Sequence, residues 1–164
     1  SGAVLDYCAG GGGKALALAA RGLRVTAHDA DPARMNGLPE RAERAGTPIL
    51  QDLSPIGPFD AVLCDAPCSG SGAWRRQPEA KWRLPPGALE RLTITQSGIL
   101  DQASVLVRPG GVLGYATCSL LDAENSAQID GFLGRHKGWH LETHQQFTPL
   151  DGGDGFFIAL LRRS

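Results

Sequence analysis

The sequence predicts a single α/β domain: a parallel sheet wound on both faces and ending in an antiparallel hairpin. Three observations predict it. Short apolar runs alternate with helix-patterned segments along all 164 residues, the order expected of a parallel sheet with crossover helices. The first apolar run ends in a glycine-rich turn that opens a helix, DYCAGGGGKA (Asp6–Ala15), the place where open α/β sheets bind ligands. The last two runs have only Pro149–Asp154 between them, too little chain for a crossover helix, so they pair antiparallel.

The elements come in order. Ala3–Tyr7 reads as a buried strand, Gly10–Gly13 as a tight loop, and Lys14–Ala20 as an Ala/Leu-rich helix stopped by Gly22. Leu23–His28 is the second strand, and Pro32–Ala45 a charged amphipathic helix closed by Gly46. Thr47–Leu50 and Phe59–Cys64 make the third and fourth strands. A long helix covers about Pro86–Val107, and Pro109-Gly110-Gly111 turns the chain into the fifth strand, Val112–Thr117. A helix over about Ala123–His136 precedes the two closing strands, about His140–Phe147 and Gly155–Leu161.

Composition bounds the function. With 42% hydrophobic and 20% charged residues the chain is not disordered, and its length suits one core rather than two. No apolar stretch approaches the roughly 20 residues that span a bilayer, and no signal peptide precedes the first strand, so no membrane partner is expected. Three of the four cysteines end apolar runs and are followed by loop signals. That placement suits reduced thiols and a cytoplasmic location. A net charge of −1 excludes a general polyanion binder, so any nucleic-acid surface is local. The abrupt entry into a strand at Ala3 reads as a fragment whose upstream part is missing.

The glycine loop admits two ligands. A P-loop is excluded, because it needs Gly at Cys8 and a hydroxyl at Ala15. Gly10, Gly12 and Ala15 match a dinucleotide fingerprint with Asp29 about 20 residues on. S-adenosylmethionine fits as well, with Asp29 at the end of the second strand holding the ribose. Asp52, ending the third strand, either accepts from an adenine amino group or caps a turn.

The cysteines carry the chemistry. If the first strand lies beside the fourth and the fourth beside the fifth, then Asp65-Ala66-Pro67-Cys68 leaves the sheet next to Thr117-Cys118-Ser119. Two thiols and a carboxylate then converge beside the glycine loop. Such a set suits methyl transfer to a weakly nucleophilic ring carbon: a thiolate adds at C6 of a pyrimidine, C5 becomes nucleophilic, and an acid near N3 supports the charge. Either Cys68 or Cys118 can be that thiolate. Pro67 forbids helix at Ala66 and aims the residues after it. Cys64, and Cys8 as a thiol, read as small buried hydrophobes. No metal site is expected, since Cys64-x3-Cys68 has no matching Cys/His pair and His136, His140 and His144 straddle a helix break at Gly138.

These motifs resemble the RNA (cytosine-5)-methyltransferases of the Sun/Fmu type almost from end to end. DYCAGGGGK is similar to D-x-C-A-A-P-G-G-K, DAPCSGSG to D-A-P-C-S-G-T-G, and RRQPEAKWR to R-R-x-P-D-x-K-W-R. YATCSLLDAEN is similar to Y-x-T-C-S-x-x-x-x-E-N, and DGFFIALLRR to the closing D-G-F-F strand. The resemblance implies a class I, Rossmann-like methyltransferase domain over residues 1–164 with a seven-stranded sheet. It implies Cys118 as nucleophile and Cys68 as the thiol that assists breakdown of the covalent adduct. DNA cytosine-5 enzymes use their Pro-Cys thiol for attack, which keeps Cys68 as the alternative nucleophile. Asp65 would touch both cofactor and base. Cys8, Ala9, Gly10, Gly11, Gly12, Gly13, Lys14, Asp29, Asp52 and Asp65 would hold S-adenosylmethionine, with Arg34 a further candidate. The chain departs from the family at Gly11, where the pattern has proline, and in lacking the segment that precedes the first motif.

Arg75, Arg76, Lys81 and Arg83, interleaved with Trp74 and Trp82, suit stacked bases and phosphates; the bland alternative is a solvated charged loop. Ribosomal RNA is the expected substrate, because the chain ends directly after its last strand as bacterial members acting on rRNA commonly do; tRNA comes second. A non-catalytic RNA-binding scaffold and an NAD-dependent oxidoreductase are the competing classes, and the latter leaves both cysteine motifs unexplained.

Overall fold

The computed structural model describes residues 2–164. Seven strands form one sheet in the order β3-β2-β1-β4-β5-β7-β6. They are β1 (Ala3–Asp6), β2 (Arg24–Ala27), β3 (Ile49–Gln51), β4 (Phe59–Asp65), β5 (Val107–Thr117), β6 (Trp139–Phe147) and β7 (Phe156–Arg163). The first five run parallel, while β7 lies antiparallel between β5 and β6. The expected hairpin is therefore present, and its second strand is the one that joins the sheet. A short turn over Pro149–Asp151, capped by Thr148, closes it.

Register decides what each face buries. Val4 pairs with Val25 and points to one face; Leu5 pairs with Val62 and points to the other. On the first face, α1 (Gly13–Ala19) and α2 (Leu38–Ala45) pack through Ala15 and Leu38 against Val25, Ala27 and Met35. On the second, α4 (Ala88–Ser104) and α5 (Ser126–Arg135) bring Leu100, Ala103, Ile129 and Phe132 onto Leu5, Val62, Cys64, Leu113 and Tyr115. Each fully buried Leu, Ile or Phe contributes about 1.5–3 kcal/mol. None of the described helices is long and apolar enough to cross a membrane.

Three segments differ from the sequence expectation, each for a local reason. Pro32–Ala45 is not one helix. Asp31 caps a single 3-10 turn over Pro32–Met35, with Ala33 N–H donating to its carboxylate at 3.1 Å. The chain breaks at Asn36-Gly37, and α2 restarts so that Pro39 falls in its first turn, where a missing N–H costs nothing. Pro109-Gly110-Gly111 does not precede the fifth strand but lies inside it, as a bulge where the β4 register jumps from Val107 to Val112. Gly110 has φ +72°, and a Cβ on Gly111 would come within 2.9 Å of the Asp60 carbonyl oxygen, so the bulge needs both glycines. Finally, the helix expected from Ala123 is a 3-10 turn, Asp122–Glu124, followed by α5. The break at Asn125 is held by Thr117 Oγ1, which donates to Asn125 Oδ1 at 2.6 Å. A further single-turn helix, α3 (Glu79–Trp82), lies in the Trp/Arg segment.

Candidate active site

The carboxyl ends of β1, β2, β4 and β5 share one edge, and the predicted residues gather there. The loop after β1 is tied down from below and from the side. Ala9 N–H donates to His28 O at 2.9 Å, and Gly10 N–H donates to Asp29 Oδ2 at 2.8 Å. Gly10 and Gly12 are left-handed, with φ +50° and +78°. Gly11 is not, and its carbonyl accepts from Arg41, so the position that departs from the family's proline does not itself require glycine. Gly13 and Lys14 begin α1.

Asp29 is 4% exposed and accepts from Gly10, from Asp31 N–H at 3.0 Å and from Arg34 at 3.2 Å. With Cys8, Tyr7, His28 and Arg34 it lines a cavity of about 340 Å³ that reaches across to Pro67. Tyr7 and His28 face each other there at 4.9 Å between ring centroids. Asp52 does not line this cavity. Its carboxylate accepts from Ser54 N–H at 2.9 Å, the turn-capping arrangement, while its carbonyl meets His28 Nδ1 at 3.0 Å. Burial, helped by the charges of Asp29, Asp6 and Asp65, pushes the Cys8 thiol up to about 12, which suits a wall residue rather than a nucleophile.

The register Asp65↔Ala116 sets the ends of β4 and β5 side by side. Lys14 reaches over to form an ion pair with Asp65. Pro67 leads the chain out, and the sulfurs of Cys68 and Cys118 lie 3.2 Å apart. The loop behind them is packed backbone to backbone. Gly72 N–H donates to Cys118 O at 3.0 Å, and a Cβ on Gly72 would collide with Gly155 O. Only glycine fits there.

The two thiols are unequal. The hydrogen bond with Cys68 lowers Cys118 to about 7; burial and the Asp65 charge oppose this, and Lys14 assists. The same hydrogen bond, together with burial, holds Cys68 well above the ordinary thiol range. Cys118 is exposed and Cys68 half-buried, so the charge settles on the better solvated sulfur. The ionised form of Cys118, favoured in this way, accepts from the Cys68 S–H.

The predicted nucleic-acid residues divide. Arg76 is engaged: its Nε donates to the two Asp154 carboxylate oxygens at 2.8 and 3.0 Å, a clamp onto the β6–β7 turn. Arg75 and Arg83 form no ion pair within the described residues. Lys81 lies over Trp82, 5.4 Å from the ring centroid, and over Trp74 at 6.0 Å. Trp82 is 82% exposed. Arg83 and Arg91 flank an open groove of about 430 Å³ floored by Leu84 and Pro85 and ending at Cys68. Among the described residues no cluster of His, Cys, Asp or Glu could hold a metal ion; His136 is occupied by Asp101 at 2.7 Å.

Two acids at the site could not be assigned from sequence. Asp6, 1% exposed, ends β1; burial and the Asp65 charge raise it to about 6, opposed by Lys14 and by the backbone N–H groups of Ala15 and Cys8. Glu124, 0% exposed, sits behind the two cysteine turns. Both stand inside the DYCAGGGGK and YATCSLLDAEN motifs, but position in a motif does not reveal what a buried acid touches.

The family model for 16S rRNA methyltransferase RsmB/F matches residues 1–162. The ribosomal RNA small subunit methyltransferase B of Thermus thermophilus is 36% identical over 177 residues, covering 98% of this chain and 44% of its own length. That of Xylella fastidiosa (strain Temecula1) is 38% identical, over 96% of this chain and 42% of its own. The chain thus spans less than half the length of these relatives. Among solved structures, NSun6 from Pyrococcus horikoshii with SFG superposes with a TM-score of 0.87 at 27% identity, covering 99% of this chain and 48% of that one.

Proposed function

Since this chain belongs to the 16S rRNA methyltransferase RsmB/F family, we propose that it is the catalytic domain of an S-adenosylmethionine-dependent RNA cytosine-C5 methyltransferase acting on ribosomal RNA. The observation that carries the reading is the sulfur pair, 3.2 Å apart, whose hydrogen bond favours the ionised form of Cys118. Cys118 is the nucleophile. Its thiolate adds to cytosine C6, the π pair of C5–C6 moves onto C5, and the charge that spreads over the ring is neutralised by a proton taken up at N3 through Asp65. A base within a stem must first be flipped out for this attack.

The residues around the glycine loop fit the cofactor. The cavity of about 340 Å³ carries the Asp29 carboxylate on its wall, an acceptor for a cationic ligand rich in hydroxyls. Cys8–Lys14, Asp29 and Asp65 would hold it, with Asp52 joined to the cavity wall through His28. When bound, S-adenosylmethionine supplies the methyl group that C5 takes. The SFG of the NSun6 structure, an S-adenosylmethionine analogue, supports this assignment.

Release follows from the same pair. Once the Cys118 sulfur is bonded to C6 it carries no charge, and the main cause of the high Cys68 pKa is gone. Cys68 then ionises more readily and takes the C5 proton; that electron pair restores the C5–C6 double bond, and Cys118 leaves as thiolate. Arg75, Lys81 and Arg83, with Trp82, contact the RNA, whereas Arg76 is already matched by Asp154.

The test is a denaturing gel of protein incubated with 16S rRNA and S-adenosylmethionine. Cys68→Ala should accumulate a covalent protein–RNA species and Cys118→Ala should form none. The reverse pattern moves the attack to Cys68; absence of methylated product with active full-length relatives as control overturns the reading for this chain.

A further inference from the structure

Glu124 is a fully buried acid with no cation beside it among the described residues. Such a group is costly unless hydrogen bonds replace its water. Four do. Ser69 donates twice, from its N–H at 2.8 Å and its Oγ at 2.6 Å. Ser119 Oγ donates at 2.5 Å, and Gln96 Nε2 at 3.1 Å.

The donors are not scattered. Ser69 follows Cys68, and Ser119 follows Cys118, so one carboxylate grips the residue next to each sulfur. Gln96, on α4, also donates to Pro67 O at 2.9 Å, one residue before Cys68. Ser71 ties the same two turns a second time: its Oγ lies 2.9 Å from Ser119 Oγ and accepts from Leu120 N–H at 2.8 Å. Glu124 is itself anchored, since Tyr115 Oη donates to its carbonyl at 2.7 Å. The cysteine turns come from different strands; the Gly72 N–H to Cys118 O bond and the Ser71 hydroxyl also span them. Glu124 is the group that holds the residue beside each sulfur at once.

We propose that Glu124 is a positioning residue, a carboxylate clamp that sets the distance between the Cys68 and Cys118 sulfurs and thereby maintains the hydrogen bond between them. Its geometric part stands on the contacts alone; its consequence for methyl transfer rests on Cys118 being the nucleophile. Without the clamp the S–H···S contact lengthens, and Cys118 drifts back towards an ordinary thiol, whose pKa is about 8.5. Asp65 and Lys14, the other charges facing Cys118, are left in place by a change at Glu124. A merely structural glutamate would alter stability and leave the acidity of Cys118 where it is.

The experiment reads that acidity without RNA. Cys118 alkylation by iodoacetamide is followed by peptide mass spectrometry from pH 5.5 to pH 10, for the native protein and for Glu124→Gln, in which an amide N–H₂ now faces donors. The native midpoint should lie near 7, and the variant midpoint should move up by more than about one pH unit, slowing alkylation at pH 7 roughly tenfold. An unchanged midpoint in a folded Glu124→Gln overturns the proposal. Should that variant not fold, Ser69→Ala and Gln96→Met each remove one arm: an upward shift in either supports the clamp, and no shift in both overturns it. Covalent-adduct formation with rRNA, assayed in parallel, separates the two claims. A shifted midpoint in a protein that never attacks RNA would sink the proposed function and leave the clamp intact.

Discussion

Cys68 and Cys118 have the same side chain, but the hydrogen bond between them raises the pKa of one and lowers that of the other, and the difference comes from solvent and neighbours rather than from residue type. The same logic governs Asp6. Its pKa rises from 3.8 to about 6 through burial, so the native state holds a proton that the unfolded chain has released between those values. The contribution of Asp6 to stability therefore falls as pH rises from about 4 to 6, by about 3 kcal/mol across that window. Asp6→Asn should remove this loss: in urea unfolding without ligand, the variant should gain on the native protein by that amount between pH 4 and pH 7, and a constant difference would show that Asp6 does not titrate this way. Residue identities at the site were legible because sulfur, glycine and acid sit in recognisable strings. Their partners were not. Nothing in the string RRQPEAKWR says that Arg76 will be taken by Asp154, 78 positions on, or that the acid of DAEN turns inward to two serines.

At the scale of elements, strand and helix types were readable from apolar period, whereas breaks were not. Pro109-Gly110-Gly111 looks like punctuation between helix and strand, yet pairing with β4 resumes beyond it at Val112, so the three residues are carried as a bulge inside one strand. The Trp/Arg segment likewise hides α3 and splits the cations by partner, so its two kinds of arginine should respond differently to salt. Arg83→Ala should weaken RNA binding and reduce the slope of log affinity against log salt by about 0.7, one single-strand phosphate contact. Arg76→Ala should leave the slope nearly unchanged while loosening the β6–β7 turn. Equal slopes lost in filter-binding titrations would mean that Arg76 exchanges Asp154 for phosphate.

For the molecule as a whole, the strand order β3-β2-β1-β4-β5-β7-β6 brings the glycine loop, the acids and both sulfurs to one edge, although they are spread from Asp6 to Glu124. If that edge is a self-sufficient ligand site, S-adenosylhomocysteine at about 100 Kd should raise the melting temperature by roughly 5–10 °C, with NAD producing no shift; stabilisation by NAD instead would overturn the cofactor assignment. The close approach of the sulfurs also determines how the protein meets peroxide. The exposed Cys118 thiolate attacks hydrogen peroxide, taking one oxygen to become a sulfenic acid as hydroxide leaves. The Cys68 sulfur, 3.2 Å away, then displaces that oxygen as water, forming a disulfide that bolts the exit of β4 to the exit of β5. Intact-mass measurement should find two hydrogens lost and dithiothreitol should restore them, whereas Cys68→Ala should go on to irreversible sulfinic acid: the thiol proposed for product release would also keep its partner sulfur recoverable.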